Sequence, residues 1–109
     1  MRLADNDLNP TQWNDIKAAW GGCAYCGRTD TVLQRDCVQP LSVGGRYTEL
    51  NIVPACRWCN ASKCNTEVTS WMRRKGLDEG LFLQRLLTIR ESVVRESVVV
   101  PDPPLDRLQ

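Results

Sequence analysis

Two short cysteine pairs carry the clearest chemistry in this chain, Cys23-Ala24-Tyr25-Cys26 and Cys56-Arg57-Trp58-Cys59. A two-residue spacing lets both sulfurs of a pair turn towards one point, and zinc prefers thiolates that meet in a tetrahedron. A lone Cys-x-x-Cys is as readily a redox motif, but two in one small domain predict a single structural zinc held by Cys23, Cys26, Cys56 and Cys59. With 6 cysteines in 109 residues a secreted protein would suggest a disulfide scaffold. The opening residues, Met1-Arg2-Leu3-Ala4-Asp5-Asn6-Asp7, contain no signal-like apolar stretch, and runs such as Val98-Val99-Val100 are far too short to cross a bilayer. The expectation is a cytoplasmic protein without a membrane partner.

The chain contains no histidine. That removes the commonest general base and the commonest nitrogen ligand from any mechanism. The formal net charge is only +1, so overall charge makes no case for nucleic acid. Local charge does: from Cys56 to Lys75 the basic residues Arg57, Lys63, Arg73, Arg74 and Lys75 face the single acid Glu67, whereas acids weight both ends of the chain. A polyanion should approach the middle.

These residues need elements to position them. The length allows one globular domain. Asn9-Pro10 reads as N-cap and first helical position, and Trp13, Ile16 and Trp20 recur at helical spacing until Gly21-Gly22 stops the helix. Trp13 and Trp20 are read as core rather than as a stacking platform. The stretch Val32 to Val38 is strand-like up to Pro40, and a second arm through Leu50, Ile52 and Val53 follows the Gly44-Gly45 turn, which together make a loose hairpin. The second cysteine pair runs into a helix. Thr66 or Asn65 can cap another, carrying Val68, Trp71 and Met72 and ending at Gly76. Asp78 can cap a third, with Leu81, Phe82, Leu86, Ile89 and Val93 facing inward. The expected layout is an N-terminal helix over 1–22, a zinc core over 23–66, C-terminal helices over 67–96 and a flexible tail over 97–109.

The order between and after the knuckles is Asp36-Cys37-Val38-Gln39-Pro40-Leu41, Gly44-Gly45, Asn51, Cys56-x-x-Cys59-Asn60 and Lys63. This resembles the HNH endonuclease family, the ββα-metal or His-Me finger nucleases, in the zinc-stapled version common in bacteria and phages. The resemblance spans about Cys23 to Lys63. It implies a small α+β fold in which a zinc-stapled ββα-metal core is flanked by an N-terminal helix and two C-terminal helices. It also implies a metal-dependent DNA endonuclease activity. In the family an Asp-His pair stands where this chain has Asp36-Cys37. That His is the general base, the preceding Asp and the residue after the second Cys-x-x-Cys ligate one divalent metal, and the middle Asn braces the hairpin. Carried over, Asp36 and Asn60 become catalytic-metal ligands suited to magnesium or manganese, Asn51 the brace, and Cys37 the occupant of the base position. The family's helix after the second knuckle lies against DNA, which makes Arg57 and Lys63 phosphate contacts, joined more weakly by Arg46, Arg73, Arg74 and Lys75. Nothing in the pattern encodes base-specific readout, so sequence-independent contacts are expected.

Cys37 sets the limit on this reading. A thiol near pKa 8.5 is mostly protonated at neutral pH, and losing a positioned base costs on the order of a hundredfold to ten-thousandfold in rate. A nearby metal or Arg35 could lower it, while a free cysteine more often packs as a small hydrophobe, and the same default applies to Cys64. Taken singly, Asp36 could be a solvated strand residue, Asn51 a turn residue and Asn60 a helix cap. The competing functions are thus an endonuclease attenuated at its base, a catalytically silent HNH-fold module that binds DNA or protein, and a redox or zinc-sensing protein using Cys37 and Cys64.

Overall fold

In a computed structural model, residues 8–97 are described. The elements run α1 (Pro10–Trp20), β1 (Gln34–Cys37), a 3-10 turn (Leu41–Val43), β2 (Ile52–Ala55), α2 (Arg57–Lys63), α3 (Val68–Lys75) and α4 (Glu79–Ser97). The expected tail lies outside the described residues, apart from Ser97, which closes α4.

Helix α1 starts on a reciprocal cap in which the Asn9 side chain accepts from the Gln12 N–H while Gln12 accepts from the Asn9 N–H. It stops at Gly21, whose φ of 75° a residue with a Cβ adopts only at a cost. The two strands pair antiparallel with Asp36 opposite Val53 and Cys37 opposite Ile52. Strand β1 is shorter than the sequence suggests, because Val32 points into solvent and the ladder begins at Gln34. The connection between the strands folds tightly on itself. A Cβ at Gly45 would come within 1.8 Å of the Gln39 carbonyl oxygen, so only glycine fits there.

β2 is buried along its whole length and packs against α1, while α2 lies against β1. An aromatic cluster joins the layers. Trp20 stacks on Phe82 at 5.6 Å, and Tyr25 meets Phe82 at 5.1 Å and the edge of Trp71 at 5.2 Å. Arg85 of α4 donates to the Trp20 carbonyl, one of the orphan acceptors at the end of α1, and Arg90 donates to the carbonyl of Leu50 just before β2. Helix α4 therefore clamps both the end of α1 and the entry to the second strand.

Two expectations are corrected here. The cap of α3 is Glu67, not Thr66 or Asn65: its carboxylate accepts from the N–H groups of Thr69 and Ser70. On α4, Phe82 and Leu86 are buried but Leu81 is exposed, since it lies one residue away from the face that Phe82 turns to the core.

A candidate metal-dependent nucleic-acid site

The sulfurs of Cys23, Cys26, Cys56 and Cys59 all lie within 4.8 Å of one another. A tetrahedron with metal–sulfur bonds of about 2.3 Å has sulfur–sulfur edges of about 3.8 Å. The Cys26 and Cys56 sulfurs are 3.8 Å apart. Donor type, number and spacing thus fit one zinc ion. The thiols are also poised against one another: burial and the neighbouring sulfurs push Cys59 far above its ordinary value, and burial raises Cys26. Burial works against ionising Cys56 too, but hydrogen bonds from the Cys59 N–H and the other thiols bring it below the usual value. A divalent cation is what lets all four ionise together.

Tyr25, inside the first knuckle, links this cluster to β1. Its hydroxyl donates to Oδ2 of Asp36 at 2.5 Å. Burial and the Asp36 charge hold the tyrosine well above its ordinary pKa, so it remains a donor. The Lys63 ammonium reaches the same oxygen at 3.3 Å and also donates to the Cys37 carbonyl at 2.9 Å. Burial raises the Asp36 carboxyl above its usual range, and Tyr25 and Lys63 partly offset this. Both contacts fall on Oδ2 and fix the carboxylate's orientation.

Asp36, Cys37, Asn60 and Cys64 line one open cleft of about 520 Å³, together with Pro40 to Ser42 and Asn65. Asn60, on α2, donates its amide N–H to Gln34 Oε1 at 2.7 Å. Its amide oxygen is the atom left to act as a ligand. Asn51 is buried and pins the interstrand connection. Its Oδ1 accepts from the Gln39 N–H, and its Nδ2 donates to the carbonyls of Gln39 and Arg46, all at 2.9 Å. One side chain thereby holds both ends of the tight turn beside the cleft.

The family model described as HNH endonuclease matches residues 23–75. The match makes residues 23–75 an HNH-like segment. No curated protein and no solved structure matches the chain. The HNH segment contains both cysteine pairs, the strand hairpin, α2 and α3.

Within that HNH segment several residues sit differently from what the sequence suggests. Lys63 is wholly buried, so it is not a phosphate contact: its ammonium is occupied by Asp36 and the Cys37 carbonyl. Arg73 is exposed, but its guanidinium is doubly bonded to Glu79. Arg46, Arg57, Arg74 and Lys75 are exposed. Arg35 stacks over Trp13 and donates to Tyr47, so it is not the group that would acidify Cys37. Burial and the Asp36 charge instead push the Cys37 thiol up, against a smaller pull from Lys63. Cys64 does not pack inside. It is exposed at the cleft with a φ of 48°, the only positive φ outside glycine among the described residues.

Sequence reasoning missed Tyr25 and Gln34, which hold the two candidate ligands, Asp36 and Asn60. The signal for Tyr25 was its place between two zinc cysteines, where a phenol must find a buried partner for its hydroxyl. For Gln34 there was none, because strand pairing brings it to α2 across 26 residues.

Proposed function

We propose that this chain is an HNH-type DNA endonuclease domain that hydrolyses phosphodiester bonds at the Asp36 cleft, with its rate lowered because Cys37 stands at the base position. The convergence of Asp36, Cys37 and Asn60 on one open cleft carries the reading. A buried carboxylate and an amide oxygen, contributed by a strand and a helix, suit a hard cation and leave positions open to substrate. Asp36 and Asn60 would hold magnesium or manganese, which offsets charge on the phosphoryl group and acidifies water. Tyr25 and Lys63 keep Asp36 in one orientation, and Asn51 fixes the turn that forms one wall. The exposed Arg57 and Arg46 supply phosphate contacts that are independent of base sequence and sensitive to salt. Cys37, held protonated, accepts a proton poorly.

That last observation favours a second reading, a silent HNH module that binds DNA without cutting it. Plasmid cleavage with magnesium, manganese and zinc, measured alongside binding, separates the two. The informative variant is Asp36→Asn, which removes the charge as alanine does but keeps the side chain's shape and an acceptor for Tyr25 and Lys63; retention of fold and zinc is measured alongside. Cleavage that needs metal and disappears in Asp36→Asn supports the nuclease. Salt-dependent binding with no cleavage under any metal supports the module.

A further inference from the structure

Four tryptophans occur in the chain, and one of them is placed unlike the rest. Trp20 and Trp71 are buried and Trp13 packs against the core, whereas Trp58, between the two cysteines of the second knuckle, is 49% exposed. Burial therefore does not account for an indole at this position. Two cations lie against it. The Arg57 guanidinium is 4.6 Å from the ring centroid and that of Arg28 is 4.7 Å away. Arg28 follows the first knuckle and Trp58 belongs to the second, so the platform is assembled where the cysteine cluster brings the two together. The charge of Arg28 is only weakly offset, because its contact with Asp30 is 3.3 Å long and exposed on both sides.

The platform borders a hollow of about 660 Å³ lined by Gln34, Arg57, Trp58 and Asn60, among others. Asn60 also lines the Asp36 cleft, so the two depressions meet at that side chain. A ligand threaded through both would place a planar, anionic unit against Trp58 and its two arginines while a neighbouring phosphate lies at Asp36. An indole with two guanidinium groups over its ring, next to a hydrogen-bonding amide at Gln34, offers a cationic stacking surface, and aromatic rings and guanidinium planes are the groups that hold an unstacked nucleobase and its phosphate. Paired bases inside a duplex offer no such free face.

We propose that Trp58, Arg28 and Arg57 form a subsite for an unpaired nucleotide adjoining the cleavage cleft, so that the preferred substrate is single-stranded or forked DNA rather than intact duplex. This rests on the nuclease reading only for the neighbouring cleft; the binding preference can be measured without catalysis.

The test compares the affinity of zinc-loaded protein, without magnesium or manganese, for a single-stranded oligonucleotide, a forked duplex and a blunt duplex. Trp58→Leu should weaken binding to the first two at least about fivefold, the lower end of what one base–aromatic stack contributes, and change blunt-duplex binding less than twofold. Trp58→Phe, which keeps a stacking face, should recover most of the loss. Arg57→Ala should weaken all three, since it removes a phosphate contact as well. Equal affinity of the parent protein for all three DNAs, or equal losses across them in Trp58→Leu, overturns the subsite and leaves the nuclease reading standing. No binding to any of them overturns both. Preferential binding to unpaired DNA without cleavage under any metal overturns the nuclease reading alone.

Discussion

Lys63 is wholly buried with its ammonium 3.3 Å from Oδ2 of Asp36, the carboxylate that lines the cleft. A buried charge that loses its partner is costly, typically about 3–5 kcal/mol, although a carboxyl already raised by burial can relieve part of this by taking up a proton. Lys63→Met should therefore destabilise the zinc-loaded protein by about 3 kcal/mol in urea unfolding at pH 7. The salt dependence of DNA binding should be unchanged in the same variant, because the ammonium does not reach a phosphate. A loss of stability below about 1 kcal/mol, or a shallower salt slope, would return Lys63 to the surface role that its sequence position suggests.

Removal of zinc should unfold the HNH segment. The apolar core is small, and four thiols gathered within 4.8 Å repel one another as they ionise unless a cation joins them. Elemental analysis should find one zinc per chain, and strong chelator or Cys59→Ala should abolish the cooperative thermal transition. Tyr25→Phe probes how the knuckle serves the cleft. It should keep the zinc and the fold but weaken manganese binding several-fold, because the hydroxyl that orients Asp36 is gone. A protein that melts at the same temperature with and without its metal would disprove the structural role.

Local features of this chain were legible and long-range ones were not. Asn9-Pro10, the cysteine pairs and Gly44-Gly45 announce a helix start, a metal cluster and a turn, because each depends on chemistry within a few residues. The family order identified Asp36, Asn51 and Asn60 as residues to follow, and the fold brings Asp36 and Asn60 to one cleft with Asn51 bracing the turn beside it. Lys63 misled because a lysine in a basic stretch looks solvated. Its burial follows only from the packing of α2 on β1, which carries the ammonium across 26 residues to the Cys37 carbonyl. The exposed Trp58 was hidden for the opposite reason, since aromatic residues are expected inside and nothing local marks the exception.

Glu67 gives a pH dependence of known sign. Backbone N–H groups of Thr69 and Ser70 donate to its carboxylate and hold its pKa at about 2, against 4.5 without those bonds. A folded value below the unfolded one means that the ionised carboxylate stabilises the fold. The contribution is complete above about pH 4.5 and is lost as pH falls towards 2. Glu67→Gln should cost about 1 kcal/mol at pH 7, a modest figure suited to an exposed cap. The difference between parent and variant should stay constant from pH 8 to about 5.5 and shrink below about 4.5, while acid-driven zinc loss, common to both, cancels. A difference that grows in acid would show that Glu67 does not act through its charge.

The sharpest test falls on Cys37. Its thiol is pushed up by burial and by the neighbouring Asp36, so at neutral pH it keeps its proton and offers no base, while Asp36 and Asn60 still line the cleft beside it. An imidazole near pKa 6.5 in the same place would be largely unprotonated at pH 7.5 and able to accept a proton from water. Cys37→His should raise magnesium- or manganese-dependent plasmid cleavage by at least about tenfold, the lower part of what a positioned base contributes. Asp36→Asn should abolish the gain. If the histidine variant folds, holds zinc and remains inactive with every metal, the cleft does not support hydrolysis and the silent binding module is the correct reading. If the parent already cleaves at the rate of the histidine variant and Cys37→Ala loses that activity, the sulfur is itself a working base or ligand, and the raised thiol pKa is not the factor that limits the rate.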